Sequence, residues 1–136
     1  MKNSDKYWLV GATWGSDDLF ARFIANDEWI LGWTNTSDGG WPAAYAKAQT
    51  IQPGDIILIK KWCGGAAAGF MRIRARGVVL NTSIQNGHVH CVVDWQDVGN
   101  EYIVDLGGCR QAINGPFEYG AGYDDWLDRV LKRPSA

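Results

Sequence analysis

The sequence predicts an α+β domain in which about six short strands form a small, strongly bent sheet. We expect this sheet to close as a β-barrel flanked by two or three short helices. Three observations predict this class. The 136 residues suffice for one domain, residues 1–136, with a buried core. Short apolar runs alternate with glycine- and proline-bearing turns, and two apolar patterns have helical spacing.

The first part of the chain predicts a strand, a helix and a second strand. The run YWLVGA at 7–12 is apolar and ends in small residues, as strands do. Ser16 is the expected N-cap of the helix, with Asp17 and Asp18 in a first turn where the helix dipole favours acids. The apolar positions of this helix are Leu19, Phe20, Phe23 and Ile24. The run WILGW at 29–33 is the second strand.

The middle of the chain predicts a helix, a turn, a strand and a loop. Residues 41–49 suit a brief helix with Pro42 in its first turn. The sequence QPGD at 52–55 fits a type II turn, with proline second and glycine third. It leads into the apolar strand IILIK at 56–60, and the glycine- and alanine-rich segment 63–69 predicts a loop.

The run FMRIRARGVVL at 70–80 alternates between apolar and basic residues, which predicts a strand with two different faces. One face is expected to carry Met71, Ile73 and Ala75. The other face is expected to carry Arg72, Arg74 and Arg76. Gly77 is a candidate β-bulge.

The last third predicts two strands and a closing helix. The strands are VHCVVDW at 89–95 and EYIVDL at 101–106. Pro134 ends the helix, which has acids at its start and bases at its end. Its apolar stripe consists of Tyr123, Trp126, Leu127, Val130 and Leu131.

The charged residues are unevenly distributed. The net charge is -2, but residues 56–93 contain five basic residues and no acidic residue. A surface of this kind can hold several phosphate groups. The candidate phosphate-binding residues are Lys60, Lys61, Arg72, Arg74 and Arg76. The alternative interpretation is a solvated outer face of the sheet that binds nothing.

Eight tryptophans are an unusual number for a chain of this length. An indole ring can fill a core, or it can stack on a nucleobase with about 1–3 kcal/mol. Trp8 and Trp126 lie in a predicted strand and on a helical stripe, which favours core positions. The candidates for a stacking pocket are Trp14, Trp29, Trp33 and Trp62. The polar Thr34 and Asn35 are candidate hydrogen-bonding partners for a base edge.

No combination of residues predicts catalysis, a cofactor or a metal site. The three cysteines are Cys63, Cys91 and Cys109. Their number is odd and no CxxC pair occurs, so we expect free thiols. His88 and His90 share one face of a strand while Cys91 lies on the other, which disfavours a metal site. The segment 63–69 lacks the lysine and hydroxyl residue of a phosphate-binding loop.

The sequence contains no apolar run long enough to span a bilayer, and its start, MKNSDKYW, has no apolar core of a secretion signal. We therefore expect a cytoplasmic protein without a membrane partner.

The segments YWLVGATWG, WILGW, IQPGDIILIK, FMRIRARGVV and VVDW, in this order over residues 7–95, resemble the PUA-like superfamily and its EVE and YTH-type branch. The resemblance is greatest to the EVE-like N-terminal domains of modified-DNA-directed restriction GTPases. It implies a bent β-barrel flanked by helices, which binds nucleic acid and accepts a modified base in an aromatic cage without catalysis.

The resemblance also implies positions for the cage. In YTH-type domains the cage draws on the loop after the first strand, on the start of the second strand and on a later loop. The corresponding residues are Thr13, Trp14, Asp17, Trp29, Ile30 and Trp62. Ile30 stands where a YTH domain has a small polar residue, and Trp33 is an alternative cage wall.

The leading hypothesis is a non-catalytic module that recognises a modified base, with DNA favoured as the target, in a restriction or defence setting. Such a module is expected to act with a fused or separate nuclease or NTPase. Three alternatives stay open. They are an RNA-binding domain, an enzyme that processes bases or nucleotides in the same pocket, and a small-ligand or protein-interaction module with core tryptophans.

Overall fold

A computed structural model describes residues 5–14, 16–34, 41–63, 69–109 and 111–132, and the statements below refer to these. Residues 33, 34, 41, 42 and 63 are described by their backbone. The described chain forms eight strands and three helices. The strands are β1 (Tyr7–Val10), β2 (Thr13–Trp14), β3 (Asp17–Asp18), β4 (Glu28–Thr34), β5 (Ile56–Cys63), β6 (Phe70–Gln85), β7 (His88–Asp105) and β8 (Ile113–Phe117). The helices are α1 (Phe20–Ala25), α2 (Trp41–Ala48) and α3 (Asp124–Val130).

Six strands form one mixed sheet in the order β4-β7-β6-β5-β1-β8. β1 and β5 pair in parallel, and all other neighbours are antiparallel. The α+β class is confirmed, but the expected closure into a barrel is wrong. β4 and β8 lie at opposite ends of the sheet and do not pair, so the described strands form an open sheet.

A hydrophobic core lies on each face of the sheet, and helices contribute to both cores. α1 and α2 contribute to the first core, and α3 contributes to the second. The first core includes Trp8, Val10, Phe23, Trp29, Leu31, Ala48, Ile57, Ile59, Val79, Val89, Cys91 and Val93. The second core consists of Tyr7, Leu9, Leu58, Met71, Ile73, Val104, Leu106, Cys109, Leu127, Val130 and Leu131. β1 alternates between the two cores, which explains why all four of its residues are buried.

The segment that precedes α1 differs from the prediction. Ser16 is not the N-cap of the helix, because Asp17 and Asp18 pair with Thr13 and Trp14 in a small hairpin formed by β2 and β3. The N-cap is Leu19, which makes no side-chain cap. The Asp18 carboxylate instead accepts a hydrogen bond from the backbone N–H of Phe20 at 3.0 Å.

The predicted turn at 52–55 is confirmed and holds a buried carboxylate. Gly54 has φ of 95°, which glycine adopts without strain, and the N–H of Asp55 donates to the carbonyl of Gln52 at 3.0 Å. The Asp55 carboxylate accepts hydrogen bonds from the Trp8 indole at 3.0 Å and from the N–H of Gln52 at 2.9 Å. The N–H of Val79 donates to the carbonyl of Asp55 at 2.9 Å, and the N–H of Gly54 donates to the carbonyl of Val79 at 2.7 Å, so this turn connects β1, β5 and β6.

A β-bulge at Arg74 reverses the faces of β6. Lys60 of β5 pairs with Ile73, but the preceding Ile59 pairs with Ala75, so Arg74 is an extra residue opposite β5. One extra residue turns every later side chain to the other face of a strand. The prediction that Ala75 shares a face with Met71 and Ile73 is therefore wrong, since its partner Ile59 belongs to the first core.

The prediction of a β-bulge at Gly77 is wrong, because Arg76 pairs with Asp97 and Gly77 with Trp95, so the extra residue is Gln96 of β7, opposite Gly77. A side chain at Gly77 would place its Cβ 2.6 Å from the carbonyl oxygen of Asp94, so only glycine fits this close approach.

The last third of the chain contains one strand where two were predicted. β7 is continuous from His88 to Asp105 and passes through Gly99, which has φ of 92°. Its second half pairs with β6 alone, since β4 pairs only with residues 88–92. β8 was not predicted, because its sequence INGPF contains both glycine and proline. The closing helix is confirmed as α3.

Replacement of Asp55 by alanine is expected to destabilise the protein. The change leaves the buried indole N–H of Trp8 without an acceptor, which costs about 1–3 kcal/mol. Urea unfolding followed by circular dichroism measures the change. Asp94→Ala is the control, because Asp94 is exposed and its carboxylate accepts a hydrogen bond from the exposed side chain of Gln96 at 3.2 Å. Equal stability of Asp55→Ala and the wild type would contradict the structural role of this carboxylate.

Candidate functional site

The β2-β3 hairpin places Trp14 against the end of β4. The half-buried indole ring stacks on the imidazole of His88, with ring centroids 5.3 Å apart and planes inclined by 9°. A Cβ on Gly32 would lie 3.0 Å from the indole Cδ1, so the absence of a side chain there makes room for the ring. A side chain at this point of β4 would require the indole of Trp14 to shift by a few tenths of an ångström.

His88 is fixed by a hydrogen bond to β4. Its Nδ1 lies 2.7 Å from the carbonyl oxygen of Leu31. Because a carbonyl oxygen only accepts, Nδ1 carries a proton, and Nε2 of the neutral ring is then an acceptor. The register between β4 and β7 shifts between Ile30 and Thr34, which carries Leu31 and Gly32 toward this ring. The Trp14–His88 stack thus combines two flat rings with one polar ring atom, Nε2 of His88.

The hairpin brings three predicted cage residues together. Trp14 pairs with Asp17 across the hairpin, and Thr13 pairs with Asp18. Thr13 and Asp17 are exposed beside the half-buried Trp14. These residues can offer a hydroxyl and a carboxylate next to an aromatic ring.

Two other predicted cage residues take different positions. Trp29 is fully buried in the first core, and its indole N–H donates to the carbonyl of Gly11 at 2.9 Å. It therefore supports the strand and offers no open ring face. Ile30 is half-buried and pairs with His90. The side chain of Trp33, and Asn35, lie outside what the structure describes.

Trp62 belongs to a different layer from Trp14. It pairs with Met71, a residue of the second core, and its indole N–H lies 3.3 Å from the carbonyl of Cys109, also in the second core. Trp14 packs instead against the first core. The structure thus does not bring Trp62 to the Trp14–His88 stack.

Lys60 and Lys61, predicted to act together, point to opposite faces of β5. Lys60 is only 6% exposed, and its amine donates to the carbonyl of Gln111 at 2.9 Å. Burial lowers the pKa of this amine to about 8. Lys61 is exposed and lies 3.7 Å from the carboxylate of Asp18. Only Lys61 is placed to contact a ligand in solution.

The three arginines are also divided between the two faces of the sheet, with Arg72 and Arg74 on one face and Arg76 on the other. Arg72 is partly exposed and lies 3.9 Å from Glu101. Arg74 makes a 3.0 Å ion pair with Asp18, lies 3.6 Å from Glu101, and covers the ring of Phe20 at 3.9 Å. Burial alone would raise the pKa of Asp18, but the Phe20 N–H and Arg74 lower it overall.

Arg76 lies on the opposite face because of the bulge at Arg74. It pairs with Leu58 of the second core, and its guanidinium donates to the carbonyl of Leu131 at 3.0 Å. This carbonyl lies at the C-terminus of α3, where the helix dipole favours a positive charge. The expected ladder of three arginines on one face is therefore wrong, and Arg76 anchors α3.

The sequence shows no acid within residues 56–93, but the fold supplies acids from elsewhere. Asp18 comes from the hairpin and Glu101 from the neighbouring β7, and both lie beside the basic residues. The basic segment is therefore partly neutralised in the folded protein.

Among the described residues, the thiols of Cys91 and Cys109 are buried, and both histidines contact neighbouring side chains. Burial raises the pKa of Cys91 to about 12 and that of Cys109 to about 11, which keeps both thiols protonated and unreactive. His90 Nε2 lies 2.9 Å from the carboxylate of Glu28, whereas His88 faces Trp14. Within the described ranges no group of three or more His, Cys, Asp or Glu residues is arranged to hold a metal ion.

No helix in the described part of the chain is both long enough and apolar enough to cross a membrane. A comparison with protein-family models and with curated proteins found no match.

Sequence reasoning missed the role of His88, which was considered only as a metal ligand. Two features identify His88 as the stacking partner of Trp14. One is the register that sets β7 beside the end of β4, and the other is Gly32, which leaves room for the indole ring. Neither signal can be read from the local sequence of residues 88–91.

The lowered pKa of Lys60 predicts a specific pH dependence of stability. The unfolded chain holds the lysine proton up to about pH 10.5, but the folded protein releases it near pH 8. Between these values the unfolded state binds more protons, so this group makes the folded protein more stable as the pH rises. Below pH 8 the cost of the buried charge is fully present.

Lys60→Met removes this effect. The free energy of unfolding of the wild type should therefore rise relative to that of Lys60→Met by roughly 2 kcal/mol between pH 7.5 and 9.5, as part of a total on the order of 3 kcal/mol that is complete only above pH 10.5. Urea unfolding at several pH values measures it. Lys61→Met is the matched control, because Lys61 is exposed. A difference between wild type and Lys60→Met that does not vary with pH would contradict the pKa shift.

Proposed function

We propose that the chain is a non-catalytic nucleic-acid-binding module of the PUA-like type that recognises a modified base at Trp14. The observation that carries the proposal is the Trp14–His88 stack. Trp14 already holds one flat heterocycle against its ring, in the arrangement that a stacked base adopts. In the proposal, the base replaces the imidazole of His88 as the partner of Trp14.

Polar groups around Trp14 support recognition of a base edge. Thr13 offers a hydroxyl and Asp17 offers a carboxylate acceptor, both on the hairpin that carries Trp14. A pocket of aromatic surface with a few polar groups is the usual way to read an extruded base. Trp29 stabilises the site without contacting the base, because its indole N–H donates to the carbonyl of Gly11 and so fixes β4.

The favoured target is modified DNA, and the favoured setting is a restriction or defence system. A module without chemistry of its own would act through a fused or separate nuclease or NTPase. Lys61, Arg72 and Arg74 lie on one side of the sheet and are the residues proposed to approach the phosphate backbone.

Replacement of Trp14 by alanine is expected to remove the preference for the modified base. Duplexes of one sequence with unmodified, methylated or hydroxymethylated bases are titrated by fluorescence anisotropy. The wild type should bind one modified duplex most tightly, and Trp14→Ala should lose about 1–3 kcal/mol of that preference, or roughly 5- to 150-fold.

Trp62→Ala is the matched control, because Trp62 is exposed but lies in the other layer. It should keep the preference. A folded Trp14→Ala variant with wild-type preference would refute the proposal. A wild type that prefers RNA irrespective of DNA modification would favour the RNA-binding alternative.

A further inference from the structure

Two large apolar side chains are exposed on the sheet beside the exposed basic residues Lys61 and Arg72. Phe70 is 51% exposed and Ile103 is 53% exposed. Arg72 pairs with Lys61 on one side and with Ile103 on the other, so these three lie in one row across β5, β6 and β7. Phe70 is two residues from Arg72 on the same strand, which places it on the same face. We call these four residues the Phe70 strip.

The Phe70 strip lies on the face of the sheet opposite α3. The intervening Met71 and Ile73 face the second core, to which α3 contributes. The side chains of the strip consequently point away from that core. The strip combines an aromatic ring, an aliphatic side chain and two positive charges on one exposed surface.

The two cations of the strip are only weakly held within the protein. Lys61 lies 3.7 Å from Asp18 and Arg72 lies 3.9 Å from Glu101, and both basic side chains are about half exposed. Exposed ion pairs of this length contribute little to stability. Arg74 differs, because it is mostly buried and makes a 3.0 Å pair. Lys61 and Arg72 can therefore exchange their carboxylate partners for phosphate groups.

We propose that the Phe70 strip binds an unpaired segment of the nucleic-acid strand next to the base held at Trp14. Lys61 and Arg72 contact its phosphates, and a base stacks on Phe70. The strand must be unpaired, because bases in a duplex are already stacked on their neighbours and present no free face to Phe70. This inference rests on the proposed function.

The β2-β3 hairpin connects the two places. Trp14 of the hairpin stacks on His88, whereas Asp18, on the other hairpin strand, contacts Lys61 and Arg74. A strand leaving the Trp14 site across the hairpin therefore reaches the row that begins at Lys61.

Phe70→Ala tests the inference. Fluorescein-labelled unmodified dT12, U12 and a matched DNA duplex are titrated with the full chain by anisotropy. The variant should bind dT12 or U12 roughly 5- to 150-fold more weakly than the wild type, with duplex affinity unchanged. Arg72→Gln should reduce the slope of log affinity against log salt for the single strand by about 0.7. The relative response to dT12 and U12 distinguishes DNA from RNA.

Leu80→Ala is the matched control, because Leu80 is 56% exposed on the same strand but outside the strip. Equal single-strand affinity of Phe70→Ala and Leu80→Ala would overturn the inference. If the wild type still selects a modified duplex through Trp14, the proposed function survives that failure. If single strands bind through Phe70 but no modified base is preferred, the modified-base proposal fails alone. No binding to any of these nucleic acids would overturn both.

Discussion

The buried carboxylate of Asp55 is the interaction on which the arrangement of the strands depends. It accepts from the indole of Trp8 in β1 and from the turn that begins β5, and its backbone joins Val79 of β6. The parallel pairing of β1 with β5 has no short hairpin to set its register. A buried hydrogen-bonded acceptor supplies that register, because any shift would leave the Trp8 N–H unsatisfied. Both cores are built on the strands that it aligns.

The side chains of the candidate site are placed by the irregular positions of this sheet. The shifted register between β4 and β7 brings Gly32 to Trp14, and the bulge at Arg74 leaves Arg72 and Lys61 together while it sends Arg76 to α3. Irregular positions in a sheet re-aim side chains. In this protein they separate basic residues that fix the fold from basic residues that can meet a ligand.

Local patterns predicted most of the elements but few of their partners. Alternation and turn residues located β1, β4, β5, the turn at 52–55 and α3, because these signals act over a few residues. Barrel closure could not be predicted, since it depends on whether β4 meets β8. The face predicted for Arg76 was wrong because a bulge reverses the side-chain direction without changing the alternation of residue types along the sequence 70–76. Trp14 was identified as a candidate, but its partner His88 is 74 positions away and is brought near only by the fold.

The bulge at Arg74 also determines how this strand can change in length over evolution. Loss of the extra residue would keep Ile59 opposite Ala75 and Lys60 opposite Ile73, so the side chains on both sides would keep their faces. A strand of the present length without a bulge would instead place Arg74 opposite Lys60, and Met71 and Ile73 would turn away from the second core. The bulge is therefore the place where β6 can lose one residue without moving a core side chain to the other face.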